Sequence, residues 1–255
     1  MDKSSIGGIL IAAAGLMGGL LLEGGSITQI LQPTAAMIVL GGTLGAVMLQ
    51  FPLNAVLEAA KQLVKVFTGT SPDGDFALKQ LIDFANKARR SGIVSLDREL
   101  AAVQDPFMRQ ALTLAIDGTD PVELRKIMQL ELDNQADSEE RIPEVFESAG
   151  GFAPTIGIIG AVLGLIQVMQ HLDKIDEVGR GIAVAFVATV YGVGTANLLF
   201  LPAAGKLKIR NREQQMVKQM VLEGVVSILE GLNPRMMEMK LRTFLAEHKP
   251  SPDGV

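Results

Sequence analysis

The sequence predicts an all-α integral membrane protein. Four transmembrane helices are expected, with a helical cytoplasmic domain between helices 2 and 3 and a cytoplasmic C-terminal helical tail. Three observations carry this expectation. Apolar residues make up 48% of the 255, and they gather in four blocks free of Asp, Glu, Lys and Arg. The 23 Lys and Arg side chains avoid those blocks, and 20 of them cluster in two long segments. Those segments repeat their apolar residues with a helical period rather than in alternation.

The blocks are residues 6–22, 33–51, 152–169 and 181–204. A bilayer core about 30 Å thick needs roughly 20 apolar helical residues, and each block meets that length approximately. One such block could be a buried helix of a soluble protein; four in one chain point to membrane spans. The first block is read as an uncleaved helix rather than a signal peptide. Its flank carries Asp2 as well as Lys3, and no polar cleavage region precedes the second block.

Charge placement sets the orientation. Eleven Lys and Arg lie between Phe51 and Gly151, and nine follow Ala204. Residues 23–32 have none, and residues 171–180 have only Lys174 and Arg180. The positive-inside bias places the two rich segments in the cytoplasm, the short linkers outside and both termini inside. The expected division is therefore 1–51 (spans 1 and 2), 52–151 (cytoplasmic helices), 152–204 (spans 3 and 4) and 205–255 (cytoplasmic tail).

Within the cytoplasmic parts, residues 52–67 space Leu53, Val56, Leu57, Ala60, Leu63, Val64 and Phe67 along one helical face. Residues 68–75, TGTSPDGD, read as a loop. Residues 76–90 form a second amphipathic helix with Leu78, Leu81, Ile82, Phe84 and Ala85 for a core. Lys87, Arg89 and Arg90 suit its C-terminus, and Ser91-Gly92 stops it. Residues 106–116 and 121–133 open on proline, as helices often do. Residues 206–232 extend the fourth span, 234–247 form a last helix, and 251–255 are expected to be disordered.

Composition excludes several functions. A net charge of −5 argues against a nucleic-acid partner. The absence of Cys removes thiolate chemistry and Cys-based metal sites. His171 and His248 lie far apart, so neither a His-rich metal site nor a nucleophile–base pair is available near the bilayer. Neither an enzyme nor a bound cofactor is expected. Because an intramembrane ionisable group marks an ion path, charge-free spans mean that any proton relay must come from another chain.

Small residues recur at helical spacing in the last two blocks: Gly157 and Ala161, Gly160 and Gly164, then Gly181, Ala185, Ala188, Gly192 and Ala196. They allow close backbone approach, either within this chain or against a partner helix. Pro154 sits near the start of block three, where a missing N–H costs little. Pro202 sits near the end of block four and should bend that helix. Thr189 either bonds its own i−4 carbonyl or faces a pore. Tyr191, Thr195 and Asn197 add further polarity.

The run Ala185-Phe186-Val187-Ala188-Thr189-Val190-Tyr191-Gly192, with Pro202 ten residues on, resembles the fourth-helix signature of the MotA/PomA stator family, within the wider MotA/TolQ/ExbB superfamily. Residues 154–161, PTIGIIGA, are similar to its third-helix motif. Arg89-Arg90-Ser91-Gly92 followed by Leu96-Asp97-Arg98-Glu99 resembles its charged cytoplasmic motif, and Glu223-Gly224 through Gly231-Leu232-Asn233-Pro234-Arg235 its C-terminal segment. Gly194 departs from the usual aliphatic residue, and Asp97 is one methylene shorter than the usual Glu.

The resemblance implies a subunit of a ring, a pentamer, in the bacterial inner membrane, in contact with membrane lipids. The ring would surround a MotB-like peptidoglycan-binding partner that supplies the ion-carrying Asp. It would push the flagellar rotor through the switch protein FliG. Arg89, Arg90, Asp97 and Glu99 would be the rotor-facing charges, Pro154 and Pro202 the coupling prolines, and Thr189, Ala161 and Tyr191 residues of the ion pathway. Sodium-type relatives tend to carry a hydroxyl at the position of Ala161. A dehydrated Na⁺ needs several oxygen ligands, so Ala161 favours H⁺ over Na⁺. The competing reading within the superfamily is an ExbB/TolQ-type energiser of outer-membrane processes, a group that usually has one span before its cytoplasmic part where this chain has two.

Overall fold

The computed structural model describes residues 3–68 and 73–246. Every regular element among them is a helix. Four helices are long and apolar enough to cross a membrane: Ser4–Leu22, Pro33–Gln50, the apolar part of Pro121–Gln170 and that of Glu177–Leu229. They coincide with the four charge-free blocks.

The helices run on further than the blocks suggested. Residues 121–133 and the third span are one helix of 50 residues, Pro121–Gln170, with Pro143 and Pro154 inside it. Pro154 therefore stands deep in a helix rather than near its start, a correction to the sequence expectation. Hydropathy located where the apolar stretch begins, whereas the backbone continues through the polar residues before it. The fourth span also runs on, as Ile175–Thr195, a π turn at Ala196–Phe200 and then Leu201–Leu229. A second π turn, Met37–Gly41, interrupts the second span.

The chain divides into two compact units, residues 1–70 with 140–209, and residues 71–139 with 210–255. In the first, Ala59 of helix Leu53–Thr68 packs with Ile142, Phe146, Ala203 and Leu207. That helix buries Ala59 and partly buries Ala55, Val56 and Leu63. Leu53, Leu57 and Ala60 of the expected core stripe are exposed instead. The apolar band on this helix is wider than the face its neighbours cover.

The second unit has a core of large side chains. Leu81, Leu96, Met108, Leu112, Leu124, Met128, Met220 and Leu241 are all fully buried. Its first helix, Gly74–Ser91, is capped by Asp73, whose carboxylate accepts from the Phe76 N–H at 3.0 Å. It buries Leu78, Leu81, Phe84 and Ala85, as expected, and stops at Gly92, whose φ of 80° needs no side chain. A ten-residue 3-10 segment, Ile93–Ala102, follows. Helix Pro106–Ile116 spans the expected residues and Pro234–Ala246 closes the described chain. Residues 69–72 of the expected loop, Glu247 of the last expected helix and the tail expected to be disordered lie outside the described residues.

Candidate functional site

The third and fourth spans meet through their glycines. A methyl placed on Gly157 would lie 2.9 Å from the Ala188 carbonyl oxygen and 3.2 Å from Gly192 Cα. One placed on Gly192 would lie 2.5 Å from the Ala153 carbonyl and 3.2 Å from Pro154 Cα. One on Gly164 would lie 2.9 Å from both Ala185 N and Gly181 O. The small-residue stripes thus face each other within one chain, with no room for a Cβ between the backbones. The second span closes on the same helix, where Ala35 and Val39 pack with Val187 and Ala188. The opposite side of the fourth helix stays open: Phe186 is 72% exposed, and Ile182, Val190 and Val193 are exposed too.

The polar side chains of this helix turn back on backbone. The half-buried Thr189 hydroxyl donates to Ala185 O at 3.3 Å and Thr195 to Tyr191 O at 2.6 Å. Asn197 donates to Val193 O at 2.9 Å. The Tyr191 hydroxyl donates to Ile30 O at 2.6 Å and accepts from Gln32 N at 3.4 Å. It ties the fourth helix to the entry of the second span. Ala161 is half-buried one turn after Gly157. Sequence reasoning passed over Thr43 of the second span, which is 3% exposed and whose hydroxyl has no partner among the described residues. Its one sequence signal is a hydroxyl beside Gly41-Gly42 in an otherwise apolar run.

The prolines differ in setting. Pro154 lies against Gly192 in the tightest part of the helix pair. Pro202 follows the π turn, in which the Leu201 N–H reaches Ala196 O, five residues back. A wider turn ahead of a proline relieves the clash its ring would make with the preceding turn. Beside it lies a cleft of about 280 Å³, lined by Ser5, Ile9, Asn197, Leu198, Pro202 and Lys206.

The charged motif occupies a corner of the second unit. Arg89 and Arg90 are exposed in the last turn of helix Gly74–Ser91. Asp97 is exposed on the 3-10 segment beside Leu96, whose burial anchors that segment. Glu99 is engaged: Lys87 Nζ lies 2.7 Å from its Oε1. Among the expected charges, Arg89, Arg90 and Asp97 are thus exposed, and Glu99 is paired with Lys87 at the surface.

A second charged group centres on Glu223, the first residue of the C-terminal motif, and brings in two partners that no motif announced. Glu223, half-buried, accepts from both terminal guanidinium nitrogens of Arg125, Nη1 and Nη2, and pairs with the Lys240 ammonium, whose Nζ lies 2.7 Å from Oε2. The Arg125 hydrogen bond holds its carboxyl below the usual range against the opposing effect of burial, with Lys240 adding to the shift. Gly224 beside it leaves room for Leu81.

Charge-free spans, a glycine-to-glycine helix pair and charges displayed outside the spans describe a multi-span membrane protein with tightly packed helices. Residues 99–220 match the model of the MotA/TolQ/ExbB proton channel family, and residues 6–92 match that of the motility protein A N-terminal region. Motility protein A of Bacillus subtilis is 34% identical over 96% of this chain and 91% of its own length. The MotAB structure of C. jejuni superposes with a TM-score of 0.92 at 30% identity, covering all of both chains. The flagellar MotAB stator complex of Bacillus subtilis gives 0.87 at 33% identity, covering 98% of each. The chain belongs to the motility protein A family, the stator subunits of the bacterial flagellar motor. The ExbB/TolQ-type alternative is not favoured, since the region before residue 99 matches the motility-protein model.

Proposed function

We propose that the chain works as one of several copies, a pentameric ring, around a MotB-like peptidoglycan-binding partner in the inner membrane. Residues 52–151 and 205–255 face the cytoplasm with both termini, as the Lys and Arg distribution supports. The coupling ion is H⁺. The observation that carries this reading is the lack of any Asp, Glu, Lys or Arg in the four apolar blocks. The transferable carboxylate must then be the partner's Asp, and this chain supplies the wall. Thr189, Ala161 and Tyr191 border the path. Thr189 reaches it by releasing its 3.3 Å bond to Ala185 O, which a second acceptor can replace at little cost.

Pro154 and Pro202 convert ion passage into movement. Each removes one backbone bond, and each stands where the helix has a second peculiarity, Gly192 contact for one and the π turn for the other. Arg89, Arg90 and Asp97 meet FliG on the rotor, with Glu99 setting their geometry through Lys87. Exposed charges suit a contact that forms and breaks at each step, since single surface pairs add little affinity but guide register.

The test is swimming of a stator-deleted bacterium that expresses the chain with its cognate partner, across Na⁺ concentrations and with a protonophore. Motility indifferent to Na⁺ and abolished by the protonophore is expected. Motility that follows Na⁺ overturns the Ala161 argument, and no motility with both proteins in the membrane overturns the stator reading.

A further inference from the structure

Pro143 is the second proline inside helix Pro121–Gln170. It has no N–H to give to the carbonyl four residues back, that of Glu139. The structure supplies another donor. Asn211 of helix Leu201–Leu229 gives its Nδ2 to Glu139 O at 2.8 Å. A carbonyl can only accept, so the amide orientation of Asn211 follows from the contact itself. Seven residues on, and so on the same helical face, Lys218 Nζ lies 3.4 Å from the Glu139 carboxylate. One residue is thus held at its main chain and at its side chain from a single neighbouring helix. Lys218 and Glu139 are largely buried, at 15% and 23% side-chain exposure, which makes a lost partner there costly.

We propose that Asn211 is a positioning residue that replaces the backbone hydrogen bond Pro143 takes away. It pins helix Pro121–Gln170 to helix Leu201–Leu229 at Glu139, so that displacement along the long helix is transmitted rather than absorbed as bending. The transmission clause rests on the stator reading above; the hydrogen-bond replacement does not. Two prolines at the membrane end of the machinery, Pro154 and Pro202, then have a counterpart of opposite character. Pro143 is a proline whose freedom is taken up by a side chain.

The test is a double-mutant cycle on the full chain co-expressed with its MotB-like partner, using Asn211→Ala, Asn211→Asp, Pro143→Ala and Pro143→Ala with Asn211→Ala. The readouts are the unfolding midpoint of the purified complex and swimming speed. Asn211→Ala should lower the midpoint by about 2–4 °C and slow swimming. Asn211→Asp, the same shape without the donor, should do at least as much. In the Pro143→Ala background the residue-143 N–H returns, and removing Asn211 should then change neither readout. Equal damage by Asn211→Ala in both backgrounds would overturn the proposal, as would an Asn211→Asp chain that melts like the native one. Should Pro143→Ala fail to accumulate, Asn211→Gln decides: a longer donor that retains more of the midpoint than Asp supports the proposal, and the reverse order overturns it. The melting cycle needs no motility. A native chain that does not swim would therefore sink the stator reading and leave this inference standing or falling on its own.

Discussion

The spans of the first compact unit and the core of the second differ in what lies at their closest packing. In the second, the large side chains of Leu81, Leu96, Met108, Leu112, Leu124, Met128, Met220 and Leu241 are among the fully buried positions. In the first, helices meet at Gly157, Gly164, Gly181 and Gly192, with Ala35, Ala153, Ala188 and Ala196 fully buried around them. The solvent explains the difference. In water, removing apolar area from contact with solvent is the main driving force, so large side chains are gathered inside. In lipid that force between helices vanishes, because the surroundings are as apolar as leucine. Association then depends on close backbone packing, which small residues permit. The large apolar side chains of the spans, Phe186 and Ile158 among them, stay on the outside.

The contrast predicts that the first unit fails when atoms are added and the second when they are removed. Gly192→Leu should have the largest effect. Its Cβ would meet backbone at 2.5 Å, and backbone cannot rotate away as a side chain can. The cost should exceed the roughly 1–3 kcal/mol of ordinary overpacking. Loss of the chain from the membrane fraction, or of its assembly with the partner, would register it. Next in size is Met128→Ala or Leu81→Ala, expected to cost about 2–5 kcal/mol in chemical unfolding of the second unit's core. A sharper comparison sets Gly192→Ala against Gly224→Ala. The added methyl at Gly224 meets Leu81 Cδ1 at 2.7 Å, the movable end of a side chain, so it should cost less than at Gly192. Equal costs would erase the distinction between the units.

Smaller effects come from charges. Glu223 has its carboxyl pKa lowered, so its contribution to stability is present above the usual carboxylate range and is lost as pH falls through the lowered value. Glu223→Gln should cost about 1 kcal/mol at neutral pH, since Arg125 and Lys240 keep water as a substitute partner. The difference from the native chain should close in acid, which unfolding curves at neutral and low pH would measure. Smallest in stability is Lys87→Ala, well under about 1 kcal/mol. If Glu99 only braces the charged corner, this variant should slow the motor nevertheless, while melting as the native chain does.

Much of the fold was legible because membrane spans advertise themselves. Four blocks without a charge gave the four spans, and the Asn233-Pro234 break and Ser91-Gly92 stop gave helix ends within a residue or two. The interior placement of Pro154 was not legible, because hydropathy marks where lipid begins and is silent about a helix that continues through polar residues. The π turn before Pro202 was hidden for a related reason. One extra residue in a turn leaves composition unchanged. At the candidate site, the glycine spacing in spans three and four announced close packing, and the structure assigns it to contact within the chain. Glu223 could not have been connected with Arg125 and Lys240, since 98 and 17 positions separate them in sequence and only tertiary folding joins them. Asn211 was equally silent, one polar residue in a polar helix.

We have proposed that this chain forms the wall of a proton path whose carrier sits on its partner. Proton uptake into liposomes answers it most directly, measured with the purified chain alone, with the chain and its partner together, and with the partner's membrane acidic residue replaced by its amide. The account predicts uptake only for the pair with the acid intact. Proton uptake by the chain alone, collapsing on no change to the partner, would contradict it.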